Sequence, residues 1–290
     1  MRTRNALLQT ITGLALLASL ATWAQNPPRP KSQPELDALR AIDSAPSLET
    51  RLRKIDDFLA AYADSDYKLI LLDQAVAMAA DKNNYPLAMA WGQRDLDANP
   101  HSYVAMQALA MVTANNTREF DLDKEQKLSQ AEKWANTALE ELKTAQRPPQ
   151  FPEDRWPLAQ KYYQAQCHLA LGTIAVDRKK YDAAAAEFQT AFDITPEPAY
   201  LIRLGEAQLK GGKYDAAIAT YDKVLATANL NPVIKGVAER EKADAVRRKG
   251  GPATAAPAQP AQAQPASAQP APAQPAPSGD KPAASGEPAK

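Results

Sequence analysis

From about Ser32 to Lys249, apolar residues recur at spacings of three and four, and no strand-like alternation persists. That period places apolar side chains on one face of successive helices and predicts an all-α fold. Breaks in the pattern divide it into pairs. Gln33 to Ala41 and Ser47 to Tyr62 form one, Tyr67 to Ala80 and Tyr85 to Ala98 a second, with Asn99-Pro100 as its stop. Tyr103 to Thr113 and Asp123 to Thr144 form a third, joined by the longer connection Ala114 to Leu122. Asp123 and Gln126 have the spacing of a capping box, and Trp156-Pro157 marks a helix start because proline is tolerated in a first turn.

The segment after Ala165 repeats itself at an offset of 33 residues. Leu171-Gly172 aligns with Leu204-Gly205, and Lys180-Tyr181-Asp182-Ala183-Ala184 with Lys213-Tyr214-Asp215-Ala216-Ala217. Phe188 then aligns with Tyr221, and Ala191 with Val224. A small residue such as Gly172 lets one helix approach its partner, and Ala184 does so from the other side. Phe188 fills the space between hairpins, and Pro196 stops the second helix. Upstream, Ala88, Ala131 and Ala138 occupy the small positions of weaker units.

This pattern resembles the tetratricopeptide repeat family, whose 34-residue unit carries Leu-Gly, then Ala, an aromatic, Ala and Pro. The unit 165–198 supplies Leu171, Gly172, Ala184, Phe188, Ala191 and Pro196, with His168 and Ala175 where aromatics are usual. The unit 199–231 supplies Leu204, Gly205, Ala217 and Tyr221, with Val224 for the final alanine and Pro232 arriving late. The resemblance implies a right-handed superhelical solenoid of helix pairs over residues 35–249. Pro232 to Arg248 then reads as a polar capping helix. In this family the first helix of each pair lines a concave groove. Carried over by position, that face is Gln166, Leu169, Thr173 and Val176 in one unit, and Ala199, Ile202, Arg203, Glu206 and Leu209 in the next. Its mixture of apolar and polar groups suits an extended or helical peptide. Relatives that grip a chaperone's C-terminal carboxylate use several Lys, Arg and Asn residues there. Here only Arg203 matches part of that clamp, and Ala199 stands where a lysine would help.

The two ends differ from this middle. Arg2 and Arg4 precede a charge-free, mostly apolar stretch, Ala6 to Leu20. Small residues follow at Ser19-Leu20-Ala21 and Thr22-Trp23-Ala24, either of which suits a signal peptidase. Residues 1–24 are expected to be an export signal and 25–34 a Pro-rich linker. From 250 to 290 the chain is chiefly Ala, Pro, Gln, Ser and Gly, without Leu, Ile, Val or an aromatic residue. Such a segment has no apolar area to offset its ordering entropy, so a disordered tail is expected.

Charge and composition narrow the function. Lys plus Arg and Asp plus Glu both number 34, which removes a bulk electrostatic case for nucleic acid. One cysteine excludes a disulfide framework within the chain and a four-thiolate zinc site. Cys167 and His168 invite a nucleophile–base reading, but neighbours on a helix diverge by about 100°. Cys167 as a small apolar filler and His168 as a packing residue is the alternative. Asp121, Asp123 and Glu125 have the alternate spacing of a calcium loop without its glycine or distal glutamate, so capping and solvation compete with that reading. His101 has no second ligand at useful spacing. Trp91, Trp134 and Trp156 lie among apolar neighbours, as packing residues do. No phosphate-binding glycine loop, Gly-x-Ser-x-Gly elbow or His-Glu-x-x-His is present.

The expectation is a non-catalytic interaction scaffold of a bacterial cell envelope, exported to the periplasm and gripping a protein segment in its groove. No cofactor and no metal are expected. The alternative is a structural scaffold anchored in the inner membrane by an uncleaved N-terminal segment.

Overall fold

The computed structural model describes residues 27–148 and 151–251. The signal assigned to 1–24 and the tail from 252 onward lie outside the described residues. Within them the chain forms five helical hairpins and a final helix. The hairpins are α1 (Gln33–Asp43) with α2 (Leu48–Ala61), α3 (Lys68–Asp81) with α4 (Tyr85–Ala98), and α5 (Tyr103–Asn116) with α6 (Lys124–Thr144). There follow α7 (Trp156–Asp177) with α8 (Tyr181–Ile194), α9 (Pro198–Lys210) with α10 (Tyr214–Leu225), and α11 (Pro232–Gly250). Among the described residues there is no strand. Each hairpin packs on the next, so the core is a series of adjoining apolar layers, as a solenoid requires.

Local chemistry sets the boundaries. Ser32, Ser47, Asn84 and Ser102 each accept a backbone N–H from three residues on, capping α1, α2, α4 and α5. The turns inside three hairpins share one geometry. Asn83, Lys179 and Gly212 take left-handed backbone angles (φ 50°, 59° and 74°). The next amide then reaches back to the carbonyls of Ala79, Ala175 and Gln208 respectively, which closes each helix end. The α5–α6 hairpin has seven connecting residues instead, 117–123.

The second helices share a further register. Buried residues seven apart recur as Ala88 and Asp95 in α4, Ala131 and Ala138 in α6, Ala184 and Ala191 in α8, Ala217 and Val224 in α10. The same spacing gives Ala238 and Ala245 in α11, and all ten side chains are completely buried. Between the small residues of the clear repeats sit Phe188 and Tyr221. A Cβ added at Gly172 would fall into the ring of Phe188, and one at Gly205 would lie 2.6 Å from that of Tyr221. The glycines are therefore required by close approach. The Tyr221 hydroxyl is buried without a hydrogen-bond partner, and burial pushes its phenol well above the usual range. Tyr221→Phe is expected to leave stability unchanged or raise it by up to about 1 kcal/mol in chemical denaturation, since an orphan polar group is removed and the ring kept.

Two expectations shift, and a third boundary is kept with a consequence for length. Asp123 precedes α6, but its side chain makes no capping bond; it pairs with Lys127 at 3.0 Å, an ion pair one turn away having replaced the capping box. α7 starts at Trp156, as Trp156-Pro157 predicts, nine residues ahead of the repeat register at Ala165, so this first helix is two turns longer than a standard unit. The segment before α1 is tied down: Tyr67 donates to the carbonyl of Pro28 at 2.9 Å, Lys31 reaches Asp64, and α1 already begins at Gln33.

Candidate binding cleft

The first helices of three successive hairpins, α3, α5 and α7, enclose a cleft of roughly 210 Å³. Its floor is apolar: Ala77 and Ala80 from α3, then Val104, Ala108 and Met111 from α5. The alanines keep the floor low. The extra turns of α7 raise one wall, Tyr162 and Tyr163, whose rings meet edge-on at 5.5 Å. Tyr162 is 49% exposed despite its size. Two amides, Gln107 and Gln166, are the neutral polar groups of the cleft, and Asp81 is the charged residue on its rim. Gln166 donates to the Tyr200 hydroxyl at 3.0 Å, so its carbonyl end is left to accept. Asp81 is exposed and forms no ion pair with a described residue. Burial, then the charges of Asp73, Tyr162 and Asp81, push the Tyr163 phenol up to about 12, so the wall stays neutral at physiological pH.

Beneath that wall lies a pair of carboxyls. Asp73 of α3 and Asp95 of α4 converge on one hydroxyl. Ser102, at the start of α5, stands 2.8 Å from Asp73 Oδ1 and 3.3 Å from Asp95 Oδ2. Asp95 is wholly buried, and its Oδ1 has no partner. Desolvation, followed by the charge of Asp73, raises the Asp95 carboxyl to about 8. Asp73 is raised too, by desolvation. The Tyr103 ring lies 5.3 Å from that of Tyr163 and joins this layer to the cleft.

The residues carried over from the repeat pattern divide. Gln166 lines the cleft. Ala199 and Arg203 are exposed, and Arg203 pairs with Glu206 one turn on at 3.3 Å. Thr173 bonds the carbonyl of Leu169 in its own helix, while Leu169 and Val176 are half-buried against the C-terminal core. Ile202 and Leu209 are 8% and 6% exposed and belong to that core, so neither offers a surface to a partner. α11 packs against α9 as well as α10, and its Ala238 and Ala245 join the same core as Ile202 and Leu209. The cleft residues of α3 and α5 were missed by the repeat alignment; the tyrosine pair opening α7 and the alanines facing it were the available signal.

The other candidates resolve into contacts. His168 Nδ1 lies 2.7 Å from Glu187 of α8 rather than on Cys167. The Cys167 thiol is buried, and desolvation pushes it up to about 12, the opposite of an activated nucleophile. His101 pairs with Glu141 of α6 at 2.9 Å. Trp91 is buried beneath the Arg94 guanidinium, 4.2 Å from its ring centre. Trp156 is half-buried and meets Phe151 edge-on, and Trp134 is half-buried beside Ala110 and Ala170. Asp121 holds Lys127, and Glu125 holds Arg178, which also binds Glu132 at 2.7 Å. Among the described residues no three His, Cys, Asp or Glu side chains converge as a metal ion would need. No described helix is long and apolar enough to cross a membrane. The loop before α6 leaves Phe120 and Leu122 almost wholly in solvent.

Stacked hairpins, a groove-side cleft and glycine–aromatic contacts at a fixed register define a helical-repeat solenoid. Residues 169–232 match the tetratricopeptide repeat family model. Its fold is similar to that of a thermophilic tetratricopeptide repeat protein from Thermus thermophilus. The two share 18% identity over 71% of this chain and 98% of that one, with a TM-score of 0.50. No curated protein matches the chain in sequence.

Proposed function

We propose that the protein is a non-catalytic scaffold of the bacterial cell envelope that holds a segment of a partner protein across the first helices of its repeats. The cleft between α3, α5 and α7 is the centre of that surface. The observation that carries this reading is an unfilled apolar floor flanked by an exposed tyrosine, two amides and one unpaired carboxylate. The floor takes an aliphatic or aromatic side chain, the amides take backbone groups, and Asp81 favours a Lys or Arg beside the anchor. The repeat fold itself belongs to proteins that bind other proteins. Export rests on the basic start, apolar stretch and small residues of 1–24, and it places the work in the periplasm. The other reading, an inner-membrane anchor, needs the same segment retained and is selected by a mature chain that keeps Met1 or Arg2.

The test is a selection of peptides from a displayed random library on the full chain. The expected winners carry one large apolar residue next to a cation. They should bind Tyr162→Ala and Met111→Glu at least about tenfold more weakly, and Arg203→Glu unchanged. Peptides that lose affinity only for Arg203→Glu would move the site to the α7–α9 surface.

A further inference from the structure

We propose that Asp73 and Asp95 hold one proton between them, that this proton fastens α3 and α4 to the start of α5, and that losing it loosens the wall of the cleft. At the register of Asp95, α6, α8, α10 and α11 carry Ala138, Ala191, Val224 and Ala245, all completely buried. Packing at this position thus asks only for a small apolar residue. A carboxyl there costs stability unless each of its oxygens is satisfied.

The local count of donors makes the proton necessary. Ser102 accepts from the amide of Ala105 as the cap of α5, and its one hydroxyl hydrogen serves one carboxyl at a time. No cation of the surrounding elements reaches the pair. Arg94 of α4 is turned to Asp56 of α2 at 2.9 Å, and His101, before α5, is turned to Glu141 of α6. The groups that do face the pair are the phenols Tyr103 of α5 and Tyr163 of α7, both held neutral by burial. Asp81, farther along α3, acts on Tyr163 and adds only negative charge. With one proton, the carboxyls bond to each other across the α3–α4 contact. With none, two negative charges face each other, one in a wholly buried site. Tyr103 and Tyr163 rest on Asp73's side of this layer, so the disturbance passes to the cleft wall.

The sign follows from linkage. The Asp95 carboxyl sits near 8 in the folded chain and near 3.8 when free, so the folded state binds the extra proton between those values. The contribution is fully present below about 3.8, falls as pH rises, and is lost above about 8. Asp95→Asn supplies a permanent donor to Asp73 and removes the titration. Thermal unfolding of the full chain at pH 5 to 8.5 should show wild type losing on the order of 5–10 °C relative to Asp95→Asn. Cys167 gives a local readout, because it is buried with Met106 and Leu142 beside Tyr103 and Tyr163. At pH 8.5 an aromatic disulfide should modify it at least about tenfold faster in wild type than in Asp95→Asn, with the two equal at pH 6. If Asp95→Asn fails to fold, Asp73→Asn places the donor on the other side and must give the same result. Parallel melting curves, or equal labelling at both pH values, overturn the shared proton. The effect on binding rests on the cleft being the binding face, but neither measurement uses a partner, so failure here and failure of that reading are told apart.

Discussion

Phe188→Ala is expected to cost about 3–5 kcal/mol of folding free energy. The ring is 2% exposed and fills the space that Gly172 leaves on the facing helix. The adjoining Ala184 and Ala191 are small and completely buried, so neither fills the gap. The cost should appear in urea denaturation as a lower midpoint. Repeats contact only their neighbours, so the loss should concentrate in the α7–α10 segment, and a split transition would reveal it. Gly172→Leu should destabilise the same contact from the opposite side, by overpacking rather than by a void. A change below about 1 kcal/mol for Phe188→Ala would mean that the glycine–aromatic contact does not hold the repeats together.

Leu209→Asp is expected to be comparably severe, about 3–5 kcal/mol, and Arg203→Glu within about 0.5 kcal/mol of wild type. Both positions follow from the groove pattern of the family, yet their surroundings are opposite. Leu209 lies in the C-terminal core, where a carboxylate has no partner. Arg203 is half in solvent and loses only a surface pair with Glu206, which is worth little. Circular dichroism and thermal melting of the two variants separate the cases. A folded, stable Leu209→Asp protein would show that Leu209 is not part of the C-terminal core.

How much of this was readable follows from the kind of signal each feature leaves. The helix pairs and the two clear repeats are written in periodicity and in the recurring Gly, Ala and aromatic residues, and the structure keeps nearly all their boundaries. The buried residues seven apart extend that register into α4, α6 and α11. Ala88, Ala131 and Ala138 were legible at the small positions of α4 and α6, but weakly, because Gly92 and Ala135 stand where Phe188 and Tyr221 stand in the clear units; Lys242 hides the same register in α11. Asp95 was invisible for a related reason, since a carboxylate in a helix reads as a solvated face. Ile202 and Leu209 were read as groove residues because repeat position tells which helix faces inward but not which of its side chains the core takes up. The early start of α7 has a further effect: its added turns raise Tyr162 and Tyr163 over a floor built from helices remote in sequence. Contacts between α3, α5 and α7 span about 80 residues, which no local pattern reports.

If the cleft of α3, α5 and α7 is the surface on which this solenoid holds a partner, a crosslinker placed there traps that partner. The most direct measurement places a photo-crosslinking benzoyl-phenylalanine in the full-length chain inside the native cell. It is placed once at Tyr162 and once at Lys223, which is exposed on α10. Mass spectrometry then locates any adduct. An adduct is expected from position 162 to one segment carrying an apolar residue beside Lys or Arg, and none from position 223. Adducts from 223 with none from 162, or the same proteins trapped from both positions, would contradict that expectation.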